Sequence, residues 1–318
     1  MKRSFKQILA RGTNWFLVGL LSVALILTGC TAEWEPTQEE EIQYVFDDLD
    51  RLVAINGTPQ RIISLAPSNT EILFALGLGD KVVAVTDWCD YPPEALEKEK
   101  VGDYDTPDIE KIRALNPDLI LVAYGTSMDV IDTLVELGLT VFGIKSTDLN
   151  DVFNDIRRVG EITDKEIEAQ ALTSEMAVGI QAVTVETQEL EQRPKVFYLL
   201  WGGEGSALWT AGSETFIHEL IGKGGGVNIC QNITGYSTIS IEEVIARNPE
   251  VIVASSWPGV YEWAMNSTEL EVTAARQSGS VCTCDDNLVQ RPGPRLVEGL
   301  EWFAYFIHPE IFEEPEDS

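Results

Sequence analysis

The segment IEKIRALNPDLILV, residues 109–122, returns as IEEVIARNPEVIVA at residues 241–254. In each copy a helical pattern ends at an Asn-Pro pair, because a proline disfavours helical geometry in the residue before it. The apolar run that follows is typical of a strand buried on both faces. The recurrence therefore predicts one helix–turn–strand unit that occurs twice in the chain.

Short β-rich runs alternate with helical patterns on both sides of these copies. The first half contains RIISLA, KVVAVT, DLILVA and TVFGI, and the second contains KVFYLLW, EVIVAS and SVCTC. Strands that alternate with helices favour parallel sheets with helical crossovers. We therefore predict the α/β fold class, with two Rossmann-like lobes of mainly parallel sheet at 59–160 and 194–318. Helices are expected near 68–77, 108–116, 129–137, 214–221, 240–247 and 295–307.

One long helical pattern lies between the two predicted lobes. It reads TDKEIEAQALTSEMAVGIQAVTVETQELEQ, with Thr163 or Asp164 as N-cap and Pro194 beyond its end. About thirty residues at 1.5 Å rise span roughly 45 Å. A single rigid linking helix over 161–193 would restrict hinge motion, so a cleft between the lobes should change shape only modestly.

The N-terminus carries a targeting pattern. Four basic residues within the first eleven precede an apolar run at 15–27, which ends in Leu27-Thr28-Gly29-Cys30. This resembles a bacterial lipoprotein signal, and the resemblance implies cleavage before Cys30 and diacylglycerol on its thiol. The alternative is an uncleaved anchor helix, for which the run is short. Either way the protein is expected outside the cytosol and tethered to a membrane.

We assign 1–29 to the signal peptide and 30–58 to an acidic, solvated tether, with the folded body beginning near Arg61. The formal net charge is −30. Such an acidic excess argues against nucleic acid as a partner and mostly reflects a solvated surface. Pairing among the cysteines stays open; they are Cys89, Cys230, Cys282 and Cys284.

The stretch RIISLAPSNTEILFALGLGDKVVAVTDWCDYPPE, residues 61–94, resembles a family. It is similar to the solute-binding proteins of ABC transporters that carry metal chelates and join two lobes by a long helix, the class III periplasmic binding proteins. Within that class it most resembles the cobalamin-binding branch. The resemblance implies a monomeric carrier that captures a corrinoid in an inter-lobe cleft and delivers it to a permease dimer and its ATPase. A ferric siderophore or haem is the alternative ligand.

The resemblance also implies a ligand site lined by aromatic rings. Such rings suit a wide, largely apolar disc with amides at its edge. One family position, an aspartate in the pattern, is Asn287 here. Each aromatic could instead pack within its lobe, and Trp209 is interpreted in that way. The implied ligand-binding residues are Trp88, Tyr104, Tyr124, Trp201, Tyr236, Arg291 and Asn287.

A glutamate recurs early in both repeated helices, at Glu110 and Glu242. A first-turn carboxylate complements the helix dipole, which is a purely structural explanation. The resemblance implies that these two carboxylates meet arginines of the membrane permease. Equivalent positions in two lobes suit a two-fold symmetric partner.

Catalytic patterns are sparse. The chain has two histidines, His218 and His308, so a three-histidine zinc site is excluded. The glycines of GKGGGVN lack the lysine and hydroxyl order of a phosphate-binding loop. We therefore expect no enzyme and no resident cofactor. An enzyme and a surface adhesin or sensor on the same fold remain the rival classes, and Arg291 as the single basic candidate favours a corrinoid over an anionic siderophore.

Overall fold

The structure is a computed structural model that describes residues 42–123, 125–283 and 285–315. These residues fall within one compact unit, Glu40–Ser318. Among them, no helix combines the length and the hydropathy that a membrane crossing requires. The predicted signal peptide and Cys30 lie outside the described residues.

The strands form two parallel sheets and two small antiparallel pairs. Each strand lies within or close to a β-rich run, except the two antiparallel pairs and two short edge strands. The strands are β1 (Ile42–Phe46), β2 (Leu52–Asn56), β3 (Ile62–Ser64), β4 (Val82–Val85), β5 (Glu99–Lys100), β6 (Leu119–Ala123), β7 (Val141–Ile144), β8 (Lys195–Leu199), β9 (Leu208–Ala211), β10 (Val227–Asn228), β11 (Tyr236–Ile239), β12 (Val251–Ala254) and β13 (Val281–Thr283).

The helices cover the sheets and connect their strands. All six predicted helices are present, with ends within one or two residues of the predicted ones. The helices are α1 (Pro67–Ala75), α2 (Ile109–Ala114), α3 (Met128–Glu136), α4 (Leu149–Ile162), α5 (Glu166–Gln188), α6 (Phe216–Lys223), α7 (Ile241–Arg247), α8 (Val260–Asn266), α9 (Ala274–Ser278), α10 (Asp286–Gln290) and α11 (Leu296–Ile307).

The first lobe contains the five-stranded sheet β5-β4-β3-β6-β7, and the second contains the four-stranded sheet β10-β8-β12-β13. Both sheets are buried on two faces, since neighbouring residues of a strand join different hydrophobic clusters: Tyr198 belongs to one and Leu199 to another. The cluster of Tyr198 also contains Leu119 of β6 and Met176 of α5. One continuous core therefore links both sheets through the connecting helix.

The linking helix α5 packs against α4 of the first lobe and against α6 and α11 of the second. It is shorter than the predicted 161–193, because α4 extends to Ile162 with Thr163 as its C-cap, and Asp164 takes a left-handed conformation with φ 60°. Neither residue is its N-cap; that position is Lys165, without a capping side chain. Its 23 residues span about 35 Å at 1.5 Å each.

The repeated unit is confirmed in both lobes. Asp108 caps α2 by accepting from the Lys111 amide, and Ser240 caps α7 by accepting from the Glu243 amide. Each helix ends before an asparagine in the left-handed region, Asn116 (φ 47°) and Asn248 (φ 49°). Asparagine tolerates that region better than most residues. β6 and β12 then enter the middle of their sheets.

The predicted tether of residues 30–58 is too long at its C-terminal end. Residues 42–56 form the antiparallel hairpin β1–β2, and its turn is held by the buried Asp47. The Asp47 carboxylate accepts from the amides of Leu49, Arg51 and Gly143, so the hairpin is attached to the edge strand β7. The folded body therefore includes residues 42–56, which were assigned to the tether.

A buried carboxyl group lies in α4. Asp155 is 1% exposed, and its Oδ2 accepts a hydrogen bond from Ser146 Oγ at 2.6 Å. Burial raises the pKa of Asp155 from 3.8 to about 7; the Ser146 bond opposes this rise and the charge of Asp151 adds to it. The folded chain therefore holds a proton here that the unfolded chain releases near pH 4.

We predict that stability falls as the pH rises from about 4 to about 7, as Asp155 ionises first in the unfolded and then in the folded chain. One pKa unit is about 1.4 kcal/mol, so the loss approaches roughly 4 kcal/mol above pH 7. Asp155→Asn should remove it, and urea unfolding at pH 4.5 and 8 measures the change. Asp132→Asn, an exposed control in α3, should leave the pH dependence intact. Retention of the parental pH dependence by the Asp155→Asn variant would contradict the assignment.

Candidate functional site

Each parallel sheet presents the carboxyl ends of its strands along one edge. The strand order reverses between β3 and β6 in the first lobe and between β8 and β12 in the second. Ligands of open α/β sheets bind in the crevice outside these carboxyl ends. The loops that follow the strands are therefore expected to form the ligand site.

Two predicted aromatic residues meet at this edge of the first lobe. The Trp88 indole Nε1 donates to Asp103 Oδ1 at 3.1 Å, and the Tyr104 amide donates to the same oxygen at 2.7 Å. The Tyr104 ring also lies against Gly125, which follows β6. A Cβ atom added to Gly125 would be 3.5 Å from that ring. Trp88 is 48% exposed and Tyr104 43%. Tyr124 lies outside the described residues.

The second lobe gathers three aromatic residues on one face of its antiparallel pair. Trp201, just after β8, bridges Trp209 of β9, and Trp209 pairs with Thr238 of β11. Tyr236 is two residues from Thr238. Because directly paired residues and residues two apart point to the same side, Trp201, Trp209 and Tyr236 share a face. They are 53%, 41% and 40% exposed, so Trp209 is a surface aromatic as well.

Tyr236 combines an exposed ring surface with a desolvated hydroxyl. Its ring contacts Phe216 edge-on, with centroids 6.4 Å apart. Burial raises the pKa of Tyr236 well above its usual range, although 40% of the residue is exposed. The phenol therefore stays neutral at any physiological pH and is able to donate a hydrogen bond to a ligand.

The sequence did not predict a cluster at the ends of β12 and β13 that consists of Ser255, Trp257 and Asp286. Trp257, 52% exposed, follows β12, and its amide donates to Ser255 Oγ at 3.1 Å. Ser255 Oγ in turn donates to Asp286 Oδ2. Burial raises the pKa of Asp286, and hydrogen bonds from Ser255 and Ser256 partly offset this. A tryptophan soon after a buried strand was the sequence signal for Trp257. Asn287, which was predicted as a ligand contact, follows Asp286 and is half-buried.

Arg291 contacts the first lobe. Its guanidinium donates to Asp90 Oδ1 at 2.7 Å, to Glu71 Oε1 at 3.2 Å and to the Trp88 carbonyl oxygen at 3.3 Å. The side chain is 12% exposed. Arg291 thus ties the second lobe to the loop that carries Trp88, and its role as a ligand contact remains a prediction.

A second arginine completes an inter-lobe ion cluster, which consists of Glu71, Asp90, Arg291 and Arg295. Arg295 donates from Nε to Glu71 Oε2 at 3.0 Å and from Nη2 to Oε1 at 2.7 Å, and its guanidinium lies 3.8 Å from the Tyr91 ring centroid. Glu71 is 3% and Arg295 9% exposed. Burial lowers the pKa of Arg295, but Glu71 outweighs this and raises it overall, so the guanidinium stays charged.

Within the part of the chain that the structure describes, no ring contact joins the aromatic residues of one lobe to those of the other. Arg291 of the second lobe reaches the Trp88 carbonyl of the first. A cavity of about 1,120 Å³ lies elsewhere, between α1, α5 and α11, with Phe74, Met176 and Arg295 in its wall. None of the predicted ligand-binding residues lines it.

Glu110 and Glu242 occupy equivalent places in the two lobes. Each is the second residue of its helix, α2 or α7, and each is exposed. Both helices lead into a central strand, so the two carboxylates have the same relation to their sheets. Both predicted docking positions are therefore accessible to solvent, and Glu242 also lines a small cavity with Thr238 and Trp263.

The chain matches a family model described as periplasmic binding protein over residues 62–288. It is 32% identical to an uncharacterized ABC transporter substrate-binding lipoprotein, YvrC, of Bacillus subtilis, over 93% of this chain and 97% of that one. The crystal structure of the periplasmic vitamin B12-binding protein BtuF of Vibrio cholerae superposes with TM-score 0.68 at 30% identity, covering 79% and 97%. The periplasmic haem-binding protein HutB of Vibrio cholerae gives 0.70 at 27%, covering 79% and 99%.

We predict that Glu71→Gln lowers the free energy of unfolding by about 3 kcal/mol, because it leaves Arg295 buried without its counter-charge. Urea unfolding measures the change. The exposed Glu94→Gln is the matched control and should unfold like the parent. The double variant Glu71→Gln/Arg295→Met should recover part of the loss. A single variant that unfolds at the parental urea concentration would refute a stabilising inter-lobe pair.

Proposed function

The chain belongs to the periplasmic binding protein family, and from that premise we propose that it captures a corrinoid between its two lobes and delivers it to a membrane permease. Its relatives include proteins named as an ABC transporter substrate-binding lipoprotein, as vitamin B12-binding proteins and as a periplasmic haem-binding protein. The predicted α/β fold class of this family is confirmed. Among these possible ligands we propose a corrinoid, with haem or a ferric siderophore as the alternatives.

The observation that carries the proposal is the set of exposed rings at the carboxyl edges of both sheets. Trp88 and Tyr104 offer ring surface in the first lobe, and Trp201, Trp209 and Tyr236 offer it in the second. A flat macrocycle has two broad apolar faces that such rings can cover. Burying about 50 Å² on one ring contributes roughly 1.3 kcal/mol. Several rings must therefore act together with hydrogen bonds at the ligand's edge.

The charges near these rings favour a ligand with neutral edge groups. Asp103 lies between Trp88 and Tyr104, and Asp286 lies near Trp257. Arg291, the predicted basic contact, is already paired with Asp90 and Glu71. Haem propionates and catecholate siderophores carry negative charge and would need positive partners. Corrin amides are neutral and suit this setting better.

Delivery requires a membrane location and a docking surface. We propose that Cys30, which lies outside the described residues, is lipidated and holds the protein on the outer face of the cell membrane or in the periplasm. Glu110 and Glu242 would then meet basic residues on the two halves of the permease, whose ATPase drives import. Their exposure and their equivalent positions support this role.

The family assignment also argues against the rival hypothesis that the protein is an enzyme. Its members are substrate-binding transport proteins, so we expect no turnover of the ligand. Across 42–315, as far as it is described, no three His, Cys, Asp or Glu side chains are placed to hold a metal ion.

We predict that cyanocobalamin quenches the tryptophan fluorescence of the signal-free chain at saturating, micromolar or lower concentrations. Trp201→Ala and Trp209→Ala should each weaken binding about tenfold, since each removes roughly 1.3 kcal/mol of ring burial. Tyr44→Ala removes a ring that is 63% exposed on the β1–β2 hairpin and should bind like the parent. Parallel titrations with haem and a ferric siderophore panel complete the test. Tight binding of one of these and none of cyanocobalamin would overturn the corrinoid.

We predict that Glu110→Ala/Glu242→Ala binds the ligand normally but abolishes its uptake, because each change removes an exposed docking charge and leaves the aromatic rings in place. Ligand titration and uptake by cells that carry the transporter measure the two properties. The control, Asp129→Ala/Glu166→Ala, removes two other exposed first-turn acids and should transport normally. Normal transport by the first double variant would count against docking there.

A further inference from the structure

The β1–β2 hairpin has an apolar outer face. Tyr44 pairs with Ala54 and Phe46 with Leu52, so these side chains point to one side together with Ile42. Ile42, Tyr44, Phe46 and Leu52 are 48%, 63%, 64% and 57% exposed. We call these four residues the hairpin face. Single exposed apolar residues are ordinary, but four adjacent ones on one face mark an interaction surface.

The hairpin face cannot turn inward and become buried in the protein's core. The opposite side of the hairpin already faces the core, where Val53 and Ile55 are buried. Asp47 fixes the turn to Gly143, and Arg158 pairs with Asp48. A shift by one residue would expose the buried side. The four residues must therefore meet solvent or a partner.

The position of the hairpin along the chain suggests what that partner is. Eleven residues separate Cys30 from Ile42. Eleven residues span at most about 40 Å even when fully extended. The hairpin also precedes the family match, which begins at residue 62. It is thus the first element that the structure describes after the proposed lipid anchor, and the short connection keeps it close to the membrane surface.

We propose that the hairpin face rests on the lipid bilayer, with its aliphatic and aromatic side chains at the boundary between headgroups and acyl chains. The inference rests on the lipid anchor described above, which supplies the proximity. Leucine, isoleucine and phenylalanine partition into this zone, and the amphipathic tyrosine ring suits the headgroup level. The contact holds the first lobe in a defined orientation to the membrane.

Two features distinguish the bilayer from other partners. Four side chains are far fewer than the 20 to 30 residues per partner of a typical stable interface, which disfavours a second copy. The chain's net charge of −30 rules out attraction to anionic headgroups as the driving force. The contact is therefore apolar, and anionic lipid weakens it.

Vesicle flotation tests the contact without the lipid anchor. The mature chain with Cys30→Ser is mixed with phosphatidylcholine vesicles, and the bound fraction is measured against lipid concentration. The parent should float with the vesicles. Tyr44→Ser/Phe46→Ser/Leu52→Ser should require at least tenfold more lipid for the same bound fraction, and adding phosphatidylglycerol should weaken binding of the parent.

The matched control replaces three other exposed apolar residues, as Ile167→Ser/Val178→Ser/Val272→Ser; these are 84%, 70% and 60% exposed. It should bind vesicles like the parent. Equal binding by the parent and the hairpin variant, or no binding by either, overturns the proposal. So does a parental dimer in sedimentation velocity that the hairpin variant converts to monomers, since a second copy would then cover the face. Cyanocobalamin titration of the same proteins reports separately on the proposed transport function.

Discussion

The buried pair of Glu71 and Arg295 is the contact on which the arrangement of the two lobes depends. It joins α1 of the first lobe to the start of α11 in the second, and its two hydrogen bonds fix the relative direction of both side chains. Arg291 extends the contact to Asp90 and to the loop of Trp88. Charges withdrawn from water in this way tolerate little separation, because each would lose its partner in a poorly solvated place. The ion cluster thus keeps the aromatic loops of the two lobes in one spatial relation.

The linking helix and the shared core also hold the two lobes in a fixed relation. α5 packs on helices of both lobes, and one hydrophobic cluster runs from β6 to β8 through it. Because this frame restricts relative motion of the lobes, the binding of a ligand between them would carry a smaller entropy cost. The site then needs only ring surface and a few donors. Parallel strands provide their positions, since every strand delivers its following loop to the same edge of the sheet.

The repeat and the strand runs were readable from sequence because they depend on local chemistry. Asn-Pro pairs, capping side chains and apolar runs act within a few residues, and the repeated unit formed where it was predicted. The ion cluster was not readable, since Glu71 and Arg295 are 224 residues apart and neither belongs to a local motif. Arg291 was recognised as special, but its contacts to the first lobe required the fold. The hairpin was missed because its acidic surroundings outweighed the period-two alternation of LVAIN. Trp209 was assigned to packing, since nothing local reveals which side of a short strand faces solvent.

The central claim is that a flat metal chelate lies against the rings of both lobes while the ion cluster stays intact. A crystal structure of the chain with bound cyanocobalamin tests it most directly. In that complex the macrocycle should contact Trp88 or Tyr104 on one side and Trp201, Trp209 or Tyr236 on the other, with both Glu71–Arg295 hydrogen bonds retained. Ligand density in the cavity between α1, α5 and α11, away from both sets of rings, would contradict it.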